Sequence, residues 1–270
     1  MLEMLSFDFM QNALIAGVLI SIISGIIGSL IVVNRMVFLA GGIAHTSYGG
    51  IGIAVYFGLP IFLGASVFSV FAALLISYIA LKKQESIDTF IGLVWATGMA
   101  IGIILIDLTP GYNVDLMSYL FGSILAVNNE DIQYISVLLF IIIAIVSIYY
   151  KNILSVSYDK EYSQLRGINV NFFYTLILVL SSLAIVVAIK IVGLILVIAL
   201  LTIPIYMAQD LSNSLKSMMI IASFLSIVFT IIGLMLSYSF DLTSGASIII
   251  VSAISLLIFT SIKALLGYNK

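Results

Sequence analysis

The sequence predicts an all-α polytopic membrane protein that forms a single transmembrane domain over residues 1–270. Hydrophobic residues occupy 63% of the positions and charged residues only 8%, whereas soluble domains carry about 25% charged residues. Apolar runs of about 20 residues, the length a helix needs to cross a bilayer, recur along the chain. No segment between these runs is polar enough to form a separate soluble domain, so the lipid bilayer is the expected environment.

Composition also excludes several classes of function. The net charge of −2 argues against nucleic-acid binding, and the absence of cysteine excludes disulfides and thiolate metal sites. The first ten residues contain no Lys or Arg, so the first apolar run is expected to be a permanent span rather than a cleaved signal. The chain has no G-x-x-x-x-G-K-[ST] motif and no nucleophile–base pair, so neither ATP binding nor catalysis is expected of it alone.

Nine spans are predicted, and eight are possible because segment 193–208 is short. That segment contains Pro204, which predicts a kink or a break. The apolar piece Leu116–Val127 is too short to cross and is predicted to form a half-helix containing Gly122. The predicted spans are 11–33, 36–58, 61–81, 89–107, 131–150, 172–190, 193–208, 217–239 and 243–262.

The positive charges predict the orientation of these spans. Lys190 falls on one side, where it is interpreted as a snorkelling residue at the membrane interface. All other Lys and Arg residues fall on the opposite side, namely Arg35, Lys82, Lys83, Lys151, Lys160, Arg166, Lys216, Lys263 and Lys270. Because basic loops stay in the cytoplasm, the loop 151–170 and the C-terminus are predicted to be cytoplasmic and the N-terminus external. Asp241 is expected to cap the last span.

The longest polar segment of the chain is the loop 151–170. Asp159 is a suitable N-cap for a short helix from Lys160 to Arg166, and Gly167 suits the position after its end. Tyr158, Tyr162 and Leu165 give this segment an apolar edge. The pattern fits either a docking surface for another protein or an ordinary solvated connector.

The second span contains the only histidine of the chain, His45, near the predicted bilayer midplane. Small residues surround it on two neighbouring helical stripes, Gly41, His45 and Gly49 on one and Gly42, Thr46 and Gly50 on the other. Such stripes allow close helix packing, and the spacing favours this structural interpretation. The alternative is that His45 is a ligand for a divalent transition metal. In a two-fold dimer, two copies of His45 could meet at the axis.

Two carboxylates flank a Thr-Pro-Gly turn at the predicted outer side, Asp107 and Asp115. They could form a ring that attracts cations to the mouth of a pathway. The alternative, that they cap helices and bind water, is the favoured interpretation.

Five stretches, in order from about Asn34 to Asp241, resemble the permease subunits of zinc-, manganese- and iron-type ABC importers. The stretches are NRMVFLAGGIAHTSYGGIG, IGLVWATGMAIGIIL, MSYLFGSIL, YDKEYSQLRGI and VGLILVIALLTIP. The resemblance implies a type II importer fold in the cytoplasmic membrane. It also implies a homodimer, two cytoplasmic ATPase subunits that hold ATP and magnesium, and an external protein that delivers the metal.

The resemblance also implies roles for individual residues. Tyr158–Ile168 occupies the place of the coupling helix that fits a groove on the ATPase, which gives contact roles to Tyr158, Asp159, Lys160, Glu161, Leu165, Arg166 and Gly167. Members of the family often carry Asp four residues before the histidine of the second span, where this chain has Gly41. This departure removes a carboxylate ligand and leaves the choice between zinc, manganese and iron open.

Two other classes of function stay open at this point. A gradient-driven secondary transporter or channel for cations would be supported by inverted halves with paired broken helices, and no such repeat is evident. A membrane enzyme would need a nucleophile and a base, which the sequence does not supply.

Overall fold

A computed structural model of the chain describes residues 7–82, 87–110, 122 and 124–265. Within these ranges the chain forms α-helices and a short 3-10 turn, Ile124–Ala126, and contains no strand. The helices are α1 (Asp8–Val33), α2 (Val37–Phe57), α3 (Ile61–Lys82), α4 (Ile87–Asp107), α5 (Asn129–Ile148), α6 (Tyr150–Tyr158), α7 (Lys160–Leu165), α8 (Val170–Val192), α9 (Leu194–Leu200), α10 (Ile203–Leu211), α11 (Leu215–Phe240) and α12 (Ser244–Leu265).

The predicted number of spans is confirmed for the described part of the chain. It contains nine segments that are helical, long and apolar enough to cross a membrane, with α9 and α10 counted as one interrupted segment. The helical form follows from the solvent, because hydrocarbon offers no partners to backbone N–H and C=O groups and a helix satisfies them internally. Many large apolar side chains on α3, α4, α11 and α12 are exposed, as lipid-facing surfaces require.

Local capping chemistry sets several helix ends. Asn128 and Asp131 form a reciprocal capping box at the start of α5. Asn169 caps α8 by accepting a hydrogen bond from the Phe172 N–H, 3.0 Å away. α2 ends at Gly58, whose φ of 66° is left-handed and favours glycine.

The core is organised around α1 and α2. α1 packs against α5, α8 and α11, and α2 packs against α3, α4 and α8. The approach of α1 to α11 is very close, because a Cβ atom at Gly25 would lie 2.4 Å from the Ser223 backbone nitrogen. A hydrogen bond of 3.0 Å between Ser21 and Thr230 joins the same two helices. Small residues and a buried hydroxyl pair therefore replace bulky side chains at this contact.

The segment 193–208 is broken, as Pro204 predicts. α9 ends at Leu200, a turn covers Leu201 and Thr202, and α10 begins at Ile203 with Pro204 in its first turn. The missing amide proton of proline is tolerated at this position because the first helical N–H groups have no partner within the helix.

Asp241 does not cap the last span, so that expectation is wrong. The structure places it directly after α11, in a left-handed conformation with φ 53°, and α12 begins only at Ser244. Asp is one of the few residues besides glycine that tolerate this conformation. Its role is therefore to end one helix rather than to begin the next.

The predicted half-helix Leu116–Val127 lies largely outside the described residues. Gly122, with φ 64°, packs so closely that a Cβ atom there would lie 2.1 Å from the Gly193 backbone nitrogen. The 3-10 turn at Ile124–Ala126 follows it, with Ile124 buried against the core.

Long-range contacts group the helix connections into two ends of the bundle. The Arg35 end, named after the turn between α1 and α2, includes a 2.9 Å hydrogen bond from Asn34 to Ser157 and an ion pair of 2.7 Å between Lys263 and Asp210. The Lys190 end includes the ion pair between Lys190 and Asp131. Each contact joins segments that the order of the spans places at the same end.

Candidate functional site

His45 lies in α2, eight residues after its first residue Val37, which places it about 12 Å along the helix axis. Its ring stacks on Trp95 of α4, with the ring centroids 4.1 Å apart and the planes 14° from parallel. Its Nδ1 atom is buried and has no hydrogen-bond partner within the described residues. The imidazole is therefore held by stacking on Trp95, while the lone pair or proton of Nδ1 has no hydrogen-bond partner within the described residues.

The glycines around His45 do not all leave open space. A Cβ atom at Gly42 would lie 2.4 Å from Ile91, one at Gly49 would lie 2.7 Å from Phe68, and one at Gly50 would lie 2.3 Å from the Gly64 carbonyl oxygen. Three of the four glycines of these stripes thus lie at close contacts of α2 with α3 and α4. The geometry at these three positions matches the packing interpretation of the stripes.

Gly41 differs from the other three. Among the described residues outside its own turn of α2, a Cβ atom there would meet only Ile198, at 3.9 Å. This position is one turn before His45 and on the same helical stripe. A side chain at position 41 would therefore have room beside the imidazole.

Thr46 occupies the stripe next to His45. Its hydroxyl donates a 2.7 Å hydrogen bond to the Gly42 carbonyl within α2, and its methyl carbon would lie 2.9 Å from a Cβ atom at Gly98 of α4. The hydroxyl is thus satisfied inside the helix, and the methyl group packs between helices.

The described part of one copy of the chain contains no complete metal cage. The described residues contain no cluster of three or more His, Asp, Glu or Cys side chains that could hold an ion. A cation at His45 would therefore take its other ligands from backbone carbonyls, water or a second copy of the chain. Such a site suits brief occupancy better than permanent binding, because structural transition-metal sites take four protein ligands.

Of the two candidate entrance carboxylates, Asp107 belongs to the described part of the chain. Asp107 ends α4 at the Lys190 end and is exposed to solvent. Asp115 lies outside the described residues. Asp107 therefore indicates that the predicted ring of carboxylates would lie at the Lys190 end.

An ion pair that sequence reasoning missed lies near that end. Lys190 of α8 donates to Asp131 of α5, whose side chain is only 10% exposed. The lysine amine also lies 5.7 Å from the Phe62 ring centroid. The snorkelling interpretation of Lys190 is thus incomplete, since its charge is matched by a specific partner.

A cavity of about 700 Å³ adjoins this ion pair. It extends from the outer parts of α3, α5 and α8 to α2, and it is lined by Ser47, Pro60, Phe62, Tyr134, Val186 and Lys190 among others. Most of its walls are apolar, and the charged group at its edge is neutralised by Asp131. The sequence signal for this region was the single lysine on a side that otherwise lacks basic residues.

The short helix predicted in the polar loop is present as α7, Lys160–Leu165, and its capping is as predicted. Asp159 accepts a 2.9 Å hydrogen bond from the Tyr162 N–H, and Gly167 follows with a left-handed φ of 75°. Arg166, expected inside the helix, is the residue that closes it. The segment is therefore an ordered element rather than an irregular connector.

One face of α7 anchors it to the bundle. Ser163 is fully buried, and its hydroxyl lies 2.7 Å from that of Ser155 in α6. The Lys160 ammonium lies 4.5 Å from the centroid of the Tyr174 ring in α8. Burial lowers the pKa of Lys160 from its usual value, because the charged form loses hydration.

The opposite face of α7 exposes apolar side chains, with Leu165 87% and Tyr162 53% exposed. Tyr158, the last residue of α6, is 66% exposed just before this helix. Glu161 and Arg166 are exposed beside them. The anchored face fixes the orientation of the helix, so the exposed side chains are presented as a rigid patch at the Arg35 end.

Comparison with known proteins identifies the family and several relatives of this chain. The ABC 3 transport family matches residues 6–263. An uncharacterised membrane protein of Synechocystis sp., slr2045, is 47% identical over 96% of this chain and 92% of its own length. The manganese transport system membrane protein MntC of Listeria monocytogenes is 37% identical over 93% of this chain and 89% of its own length.

A solved structure agrees with these relatives. The structure of PsaBC from Streptococcus pneumoniae in complex with Fab contains a chain that superposes with a TM-score of 0.84 at 35% identity, covering 94% of this chain and 91% of that one. The agreement extends over nearly all nine spans. The chain is therefore a multi-pass membrane protein of the ABC 3 transport family.

Proposed function

We propose that this chain is the permease subunit of an ATP-driven importer that moves divalent transition-metal ions across the cytoplasmic membrane. Family membership supports the transport role, and the manganese relative supports a metal ion of the manganese, zinc or iron type as cargo. The observation that carries the coupling step is the anchored helix α7 with its uncovered apolar face.

A separate ATPase supplies the energy in this proposal. The chain has no phosphate-binding loop of the P-loop kind, so ATP and magnesium bind to the partner subunit. α7 lies at the Arg35 end, where nearly all the basic residues of the chain are found, and such ends face the cytoplasm. Motion of the ATPase pair would then pass through Tyr158, Tyr162 and Leu165 to α6 and α8, which hold α7.

The cargo enters from the other end, delivered by an external metal-binding protein. Asp107 is available there to attract cations, and the pathway passes His45. One copy of the chain offers a single imidazole and, within the described residues, no cluster of three or more ligating side chains. Two copies, as a homodimer, would bring two imidazoles to one pathway and so provide a weak transit site that releases its ion readily.

The coupling role predicts the effect of one substitution. Leu165→Asp should abolish co-purification with the partner ABC ATPase, because a charge replaces a highly exposed apolar side chain on the proposed docking face. We expect a loss of affinity of about 30-fold or more, typical of a central apolar contact. The measurement is the amount of ATPase retained by the tagged chain.

Leu265→Asp is the matched control, because Leu265 is also 87% exposed and also lies at the Arg35 end. This variant should retain the ATPase. Normal retention by Leu165→Asp, or no association of the unmodified chain with any ATPase, would contradict the proposal. Metal uptake by vesicles that contain the chain but no ATPase would instead support a gradient-driven transporter.

A further inference from the structure

Trp95 is placed to control the orientation of His45. The two rings are nearly parallel at 4.1 Å, and they come from neighbouring helices that are held together by glycine contacts. The indole is itself fixed, because its N–H donates a 2.9 Å hydrogen bond to the Met99 sulfur one turn later in α4. Met99 thus holds the Trp95 indole, and the indole in turn stacks on the His45 ring.

Stacking of this kind leaves the metal-binding edge of an imidazole free. A metal ion binds an imidazole nitrogen in the plane of the ring, whereas Trp95 covers one face of that ring. The Nδ1 atom lies on this edge of the ring rather than on the stacked face; it is buried and has no hydrogen-bond partner within the described residues. Within the described residues no hydrogen bond to Nδ1 holds the ring, so the stack on Trp95 is the directional contact that restricts rotation of His45.

We propose that Trp95 is a positioning residue for metal transit, which fixes the ring plane of His45 so that one nitrogen meets the passing divalent ion. The proposal rests on the proposed transport function and adds a residue to its site. Its physical basis is preorganisation, because a ring that is already oriented loses less rotational freedom when it binds an ion. A purely structural role for Trp95 would affect folding stability but not the affinity for metal.

The chain offers an internal probe for this proposal, since Trp95 is its only tryptophan. Co²⁺ quenches indole fluorescence at short range, so its binding to His45 should quench the emission of the full-length chain in detergent with a saturable curve. His45→Ala should remove the saturable part of the quenching. If Co²⁺ does not quench the emission, or if it quenches His45→Ala equally, the ion does not bind His45 beside Trp95 and the proposal is overturned.

Substitutions of Trp95 separate positioning from packing. Equilibrium dialysis with Co²⁺ should show a dissociation constant about five- to tenfold higher for Trp95→Leu, which retains apolar volume but has no ring to stack. Trp95→Phe should restore affinity to within about threefold, because a smaller ring still stacks. Equal Co²⁺ affinity in all three proteins would overturn the positioning role, even if Trp95→Leu is less stable to heat.

The failure of this proposal can be told apart from failure of the proposed function. ATP-dependent Mn²⁺, Zn²⁺ and Fe²⁺ uptake by the unmodified chain, reconstituted with its ATPase, tests the transport function without reference to Trp95. Uptake together with unchanged Co²⁺ affinity in Trp95→Leu would reject only the positioning role. Absence of uptake for every ion would reject the transport function.

Discussion

At the scale of single residues, glycines occur in two different environments in this protein. Gly102 of α4 lies against α2 so closely that a Cβ atom would be 2.4 Å from the Tyr48 carbonyl oxygen. At Gly92, on the same helix, such a Cβ atom would face open space, because no atom of the described residues beyond the local helix backbone lies within 4 Å of it. The first glycine is required by backbone contact, and the second is not.

This difference predicts opposite effects of the same substitution. Gly102→Ala should destabilise the protein by about 1–3 kcal/mol, because the added methyl group meets a backbone atom that cannot rotate away. Gly92→Ala should stabilise it by up to about 1 kcal/mol, because alanine gives the unfolded chain less conformational entropy to lose on folding than glycine does. Thermal unfolding in detergent measures both. Equal effects of the two variants would show that the α2–α4 contact is looser than the structure indicates.

The sequence predicted which residues around position 45 are small, but not which of them touch another helix. Periodicity places Gly41 and Gly49 on one stripe, yet Gly49 meets Phe68 at 2.7 Å while Gly41 faces nearly open space. The stack of His45 on Trp95 joins residues fifty positions apart, and the pair of Asp131 and Lys190 joins residues fifty-nine apart. Such contacts depend on how helices are arranged, which local patterns do not encode.

At the scale of elements, the short helix α7 was predictable because its signals are local. The N-cap Asp159 and the left-handed Gly167 both act within one turn of the helix they delimit. The break before α10 was predictable for the same reason, since Pro204 acts on its own backbone. Asp241 was misassigned because a cap residue between two helices can serve either of them, and its φ decides which.

The N-cap of α7 gives a test of how the helix supports docking. Asp159→Ala removes the hydrogen bond to the Tyr162 N–H and should cost about 1 kcal/mol of local helix stability. We expect faster hydrogen exchange of the α7 amides and weaker association with the ATPase, by roughly fivefold. Association is measured by titration of ATPase onto the immobilised chain.

Asn169→Ala is the corresponding control, because Asn169 caps the neighbouring helix α8 in the same way, through the Phe172 N–H. It should increase exchange at the start of α8 and leave ATPase affinity nearly unchanged. Similar losses of affinity in both variants would indicate that general loosening of the loop, rather than the order of α7 itself, governs docking.

At the scale of the whole molecule, the described spans and their charges support one arrangement in the membrane. Nine spans put the two termini on opposite sides, and the contacts at each end join only segments that this order places together. The basic residues predict that the Arg35 end is cytoplasmic, with Lys190 as the exception. Lys190 fits this pattern poorly as an isolated charge but well as the partner of Asp131.

The natural absence of cysteine makes this arrangement testable, because each introduced cysteine is unique. Phe57→Cys and Leu242→Cys should react in intact cells with a maleimide that cannot cross the membrane, since both exposed positions lie at the Lys190 end. Glu161→Cys and Leu265→Cys should react only after the cells are opened, because they lie at the Arg35 end, which is predicted to be cytoplasmic. The opposite pattern would place α7 outside the cell, where no ATPase could reach it, and a mixed pattern would contradict the count of nine spans.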